Sequence, residues 1–169
     1  RVNIRDSRNE VKTEMKAVLC KDFGTPDTLS LEEIDEPMIG PTDVLVKVIA
    51  SAINFPDILM IEGKYQFKPE FPFSPGGEFS GVVEKIGDEV ADYKVGEEVF
   101  GSIGHGCFAE KISVPSQVLK KKPDHLDFIT AAGISTTYGT SYYALKQRAD
   151  LKAGETLLVL GAAGGGGLA

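Results

Sequence analysis

The chain has 169 residues, 42% of them hydrophobic and 25% charged, a globular balance with room for one cored domain and part of another. A net charge of -7 and a pI near 4.9 exclude the basic surface that nonspecific binding to nucleic acid or anionic membrane requires. Cys20 and Cys107 alone make no disulfide framework and point to a reducing, cytoplasmic setting, and no apolar stretch approaches the ~20 residues of a membrane helix.

Residues 1–14, RVNIRDSRNEVKTE, lack the apolar centre of a secretory signal and are expected to be a disordered extension, with Met15 as the natural start. Short apolar segments then alternate with turn clusters, and strands are expected over 17–19, 29–34 and 44–50. In the last of these Val44, Val46, Val48 and Ala50 share the drier face, opposite Leu45, Lys47 and Ile49. The pattern repeats over 79–86, 98–100 and 108–114, separated by Gly/Asp and Pro/Ser breaks, and strands at this spacing suggest a barrel. Lys120, Lys121 and Lys122 read as a solvated strand end. Nineteen glycines and nine prolines supply the turns such a body needs.

The period changes after Pro123. Asp127 is a helix N-cap, and Tyr138, Tyr142 and Leu145 recur at helical spacing up to Lys146, whose charge suits a helix C-terminus, with Tyr138 and Tyr142 read as core. Gly133 and Gly139 each cost a helix interior about 1 kcal/mol, so a break is expected over 133–136. An apolar run at 157–160 then leads into Gly164, Gly165, Gly166 and Gly167, as a buried strand meeting a phosphate-binding loop would. The expected class is mixed and mainly β: a barrel over 15–126, then a connecting helix and the start of a nucleotide-binding unit over 127–169.

Gly154, Glu155, Leu158, Ala162, Ala163, Gly164, Gly165 and Gly167, together with INFPD and PGGEFSGVVEKIG, resemble the quinone oxidoreductase (zeta-crystallin-like) branch of the medium-chain dehydrogenase/reductase superfamily. Gly166 stands where that family usually has Val. The resemblance implies a GroES-like barrel, a helix and the first strand and glycine loop of a Rossmann domain, so the chain is expected to be the N-terminal part of a longer enzyme, a homodimer in its complete form. It also implies an NADPH-dependent oxidoreductase that passes hydride to a quinone or activated enone. Zinc-using relatives place a Cys at Asn54 and a His at Gly77, so no metal is expected. Direct hydride delivery to a conjugated acceptor needs no metal Lewis acid.

By the same resemblance Asn54 lies by the nicotinamide ribose or substrate, Tyr65 reaches the quinone or nicotinamide pocket, and Thr140 contacts the nicotinamide end of the cofactor. Ala163, Gly164, Gly165 and Gly167 would approach the pyrophosphate. Each side chain has a plainer alternative: Asn54 supporting a strand-to-helix turn, Tyr65 packed against the barrel, Thr140 a helix-surface hydroxyl. Asp57 would orient the Asn54 loop or cap its helix. Gly76 and Gly77 read as a tight turn, Glu78 as a structural hydrogen-bonding group, and His105 and Cys107 as turn and strand residues. The competing reading of the whole is a non-enzymatic GroES-like binding or interaction module ending in a vestigial glycine tail.

Overall fold

The computed structural model describes residues 13–169, so the extension expected over 1–14 falls almost wholly outside the described residues. Strand β1 (Glu14–Leu19) pairs antiparallel with β2 (Ser30–Asp35), and β3 (Asp43–Ala52) leads through α1 (Phe55–Ile61) to β4 (Glu78–Ile86). β5 (Glu98–Ser102), β6 (Lys111–Pro115) and β7 (Leu119–Lys121) complete an antiparallel sheet in the order β6-β3-β4-β5-β7. Helices α2 (Phe128–Ala132) and α3 (Ile134–Tyr142), a π-helical stretch Tyr143–Arg148 and the short α4 (Gly165–Leu168) follow.

β3 and β4 are the centre of the sheet because their apolar side chains meet across the ladder. Val46 stands opposite Val83 on one side and Ile112 on the other, and Val44 opposite Ile86 and Val114. These residues close the main core with Phe79, Val99, Cys107 and Leu119. The even positions of β3 are the drier ones as far as Ala50, but Leu45 is also fully buried. Register shifts at Leu45/Val46 and Val48/Ala50 bend the strand, as extra residues in a ladder do.

The expected barrel does not close by a continuous ladder: β1 and β2 form a separate two-stranded sheet. Isolated bridges Ala17↔Ala109 and Cys20↔Phe73 instead hold β1 to the rest. Residues 103–110 bend repeatedly before β6 begins, and beside β1 they form one bridge, with the Val18 N–H donating to the Phe108 carbonyl and the Glu110 N–H to the Lys16 carbonyl. A second, smaller core of Cys20, Met60, Ile61 and Phe73 fills the space under α1.

The helical region follows its sequence signals closely at its start. The Asp127 carboxylate accepts from the Thr130 N–H at 2.6 Å, and α2 stops at Gly133. Three expectations need correction. Tyr138 and Tyr142 are not core but 53% and 62% exposed, because they line a surface pocket with Leu145, Leu151 and Ala169. Residues 157–160 form no strand: no neighbour lies alongside to exchange a ladder, and Leu158 and Leu160 are 77% and 85% exposed. Lys122 is buried rather than solvated, with its ammonium turned back onto the chain.

Candidate active site

The strand-to-helix turn after β3 builds the site. Asn54 is the N-cap of α1 and has extended backbone, with Pro56 in the first turn and Asp57 at the third position. The Asp57 carboxylate accepts from the Asn54 N–H at 2.7 Å, while the Asn54 carbonyl accepts from the Asp57 N–H at 3.0 Å. The first bond is the Asp57 half of a capping box, and the second is the backbone turn that opens α1.

The Asn54 side chain points the other way, toward β4. Its Nδ2 donates to Glu78 Oε1 at 2.8 Å, and Glu78 Oε2 accepts from the Thr136 N–H at 2.9 Å. Glu78 is 1% exposed and opens the central strand, so one buried carboxylate joins the Asn54 turn to the first turn of α3. A carboxylate that loses water must be compensated by donors, and these two bonds supply that. Both expected roles of Asp57 are present, because its carboxylate also accepts backbone N–H bonds from Gly76 and Gly77.

Burial pushes the Asp57 carboxyl above the usual carboxylate range, and the Glu78 charge adds to the rise, while those backbone N–H bonds hold it back. The Cys107 thiol is driven up by burial and then by the Asp57 and Glu78 charges. It is therefore a neutral packing group, neither nucleophile nor thiolate ligand. Among the described residues no three His, Cys, Asp or Glu side chains are arranged to hold a metal ion.

Gly76 has φ +92°, and a Cβ there would lie 2.5 Å from Phe108 Cδ1, so only glycine fits this turn. At Gly77 a Cβ would meet nothing closer than the Ile103 carbonyl at 3.4 Å. Glycine is required sterically at the first position and not at the second. His105 lies in the loop beyond, stacked on Phe73 at 5.8 Å between centroids.

The other expected residues are distributed along α3 and beyond. Thr140 is exposed on α3, one turn after Thr136. The glycine run packs against the same helix: Ser141 Oγ donates to the Gly166 carbonyl at 3.0 Å, and a Cβ on Gly165 would touch Thr137 Cγ2 at 2.9 Å. A Cβ on Gly167 would fall 2.5 Å from Ala162 Cα, so the run from Ala162 and Ala163 folds back on itself with no room for a side chain at that position. Its glycine backbone is of the kind that can approach an anion closely.

Asn54 and α3 are thus brought together through Glu78, and α3 and the glycine loop through Ser141. Tyr65 is not part of that chain of contacts; it packs against the smaller core of Cys20, Met60, Ile61 and Phe73. Thr136 and Ser141 carried no sequence signal of their own, since a backbone N–H partner and a hydroxyl contact 25 residues away leave no pattern. Glu78 did carry one, a carboxylate directly after Gly76 and Gly77 at the head of a strand that continues with Phe79, Val82 and Val83.

Residues 40–124 match the alcohol dehydrogenase GroES-like domain. Over 155 residues the chain is 42% identical to a quinone oxidoreductase-like protein 2 homolog of Nematostella vectensis, covering 91% of this chain and 42% of that protein. The quinone oxidoreductase of Coxiella burnetii superposes with a TM-score of 0.88 at 32% identity, over 92% of this chain and 51% of that one. A mycobacterial protein solved in complex with NADPH superposes with a TM-score of 0.84 at 32% identity, over 91% and 48%. The chain spans less than half the length of the curated relatives it matches.

Proposed function

This chain belongs to the alcohol dehydrogenase GroES-like family, in the quinone oxidoreductase branch of the medium-chain dehydrogenase/reductase superfamily, and from that premise we propose that it forms the N-terminal part of an NADPH-dependent, zinc-independent reductase of quinones or activated enones. The observation that carries this reading is the Asn54–Glu78–Thr136 linkage, which fixes a short amide beside the helix that bears Thr140 and the glycine loop. In this reading residues 15–126 are the catalytic unit and 127–169 the entry to a nucleotide-binding unit.

Ala163, Gly164, Gly165 and Gly167 would take the pyrophosphate, and the fit rests on a glycine backbone that packs on Thr137 at Gly165 and on Ala162 at Gly167, too closely for a side chain at those two positions. Thr140 would meet the nicotinamide end. The chemistry supplied by bound NADPH is donation of a hydride from C4, which together with one proton from solvent reduces a quinone to its hydroquinone or an enone to the saturated carbonyl.

The task of this chain is orientation. Asn54 is held by Asp57 on its backbone and by Glu78 on its side chain, so its amide is already ordered and gives up little freedom when it engages cofactor or substrate. Tyr65 would offer its phenol as a donor to the developing oxyanion of the acceptor, as the resemblance implies.

The test is the full-length protein mixed with NADPH and 1,4-benzoquinone or 9,10-phenanthrenequinone, with loss of absorbance at 340 nm as the readout. Stoichiometric NADPH oxidation that persists after exhaustive chelation supports the reading. A folded full-length protein that neither binds NADPH nor oxidises it overturns the reading in favour of a binding module.

A further inference from the structure

We propose that Glu78 is a positioning residue for the Asn54 amide, and that it sets this amide relative to α3 rather than serving only to satisfy buried backbone. The inference rests on the reductase reading above for its kinetic consequence, but its structural content is independent of that reading.

Three observations converge on it. Glu78 is almost fully buried at the head of the central strand, a costly place for a carboxylate that apolar packing could have filled. Each of its oxygens takes a donor from a different element, Oε1 from the Asn54 side chain and Oε2 from the Thr136 backbone. The Asn54 backbone is already committed to Asp57, so the side-chain torsions are the freedom left at that residue, and Glu78 is the partner that removes it.

The acceptor-only character of the carboxylate gives the arrangement its direction. Two oxygens that can only accept oblige Asn54 to turn its NH2 toward Glu78, so the orientation of the amide follows from chemistry. A glutamine in the same place would turn one donor toward one of the two N–H groups and lose that bond. Because Thr136 lies one turn before Thr140, the same carboxylate registers the Asn54 turn against the helix proposed to meet the nicotinamide.

Glu78→Gln in the full-length protein tests this in two ways. Labelling with 15N-asparagine gives side-chain amide signals that include Asn54, assigned by its loss in Asn54→Ala; in E78Q that signal is expected to move and broaden. In turnover with NADPH and 1,4-benzoquinone, kcat is expected to fall about 10-fold or more with the NADPH KM little changed. The isotope effect with NADPH deuterated at the transferred hydrogen should rise as hydride transfer becomes limiting. Once Asn54 is Ala, E78Q should cost no further activity.

An unmoved Asn54 signal in E78Q, an unchanged kcat, or additive losses in the double variant would overturn the proposal. Should E78Q not fold, Glu78→Asp keeps both acceptor oxygens and draws them back by one carbon, and the same readouts apply. If the wild-type protein turns over no quinone, the reductase reading fails by itself, and the Asn54 signal still decides whether Glu78 holds that amide.

Discussion

The Lys122 ammonium lies 2.7 Å from the Glu98 carboxylate while donating to the Leu126 carbonyl at 2.6 Å. It also sits 5.2 Å from the centre of the Phe128 ring, so a buried cation joins β5 to the segment that enters α2. Ser80, fully buried on β4, reinforces the joint by donating to the Phe128 carbonyl at 2.5 Å.

Lys122→Met should therefore destabilise the protein by about 1–3 kcal/mol, because it keeps the apolar stem but leaves the Leu126 carbonyl without its charged donor. Glu98→Gln should cost about 1 kcal/mol or less, since its side chain is half exposed and water replaces the lost partner. Urea unfolding of the two variants reads the difference. Equal losses would mean that the ion pair, and not the carbonyl bond, holds the joint.

What could be read from the sequence, and what could not, divides along the range of the interactions. Asp127 was legible as a cap because its partner is three residues away, and Gly133 as a break because a flexible residue at that point ends a helix by itself. The alternation in β3 gave its buried face, apart from Leu45, which is buried on the opposite face. Lys122 was misread as solvated because its ion-pair partner comes from β5, and only the β5–β7 pairing brings them together. Asn54 was singled out by its place in INFPD, but its partner Glu78 is 24 residues away and Thr136 a further 58, contacts that only the fold creates. Residues 157–160 have the composition of a strand, yet composition does not supply the neighbour a ladder needs.

Glu36 binds two lysines at once, Lys111 at 2.7 Å and Lys85 at 2.5 Å, with only 9% of its side chain exposed. Those lysines, Lys111 first, hold its carboxyl below the usual range. A depressed carboxylate stabilises the fold above its unfolded pKa, and that contribution is lost as pH falls through the folded value. Glu36→Gln is expected to cost about 1 kcal/mol at neutral pH, less in high salt, and to reduce the acid sensitivity of the thermal midpoint below about pH 4.5. A variant with the acid sensitivity of the wild type would show that other carboxylates govern it.

Gly76 and Gly77 offer a controlled pair. Alanine at Gly76 must adopt a left-handed conformation and collide with the Phe108 ring, so Gly76→Ala is expected to lose about 1–3 kcal/mol. Gly77→Ala should lose about 1 kcal/mol or less, because ordinary van der Waals distances await its Cβ. Thermal midpoints compare them directly. A Gly77 variant as damaged as the Gly76 variant would mean that the turn needs flexibility at both positions.

Asp57 predicts a pH dependence of the opposite sign to Glu36. Burial raises its folded pKa above the unfolded value, so the folded state keeps the proton to a higher pH than the unfolded chain does. Its contribution is then fully present below the unfolded pKa of about 4 and is lost as pH rises through the folded pKa, after which stability no longer changes on its account. Subtracting the unfolding free energy of Asp57→Asn from that of the wild type cancels the other carboxylates and isolates this one. The difference should fall, to the disadvantage of the wild type, as pH rises from about 4 and then level off. A flat difference would mean that the N–H bonds from Asn54, Gly76 and Gly77 fully offset burial. A difference that rises with pH would mean that those bonds outweigh it, and that the capping box is strongest with Asp57 ionised.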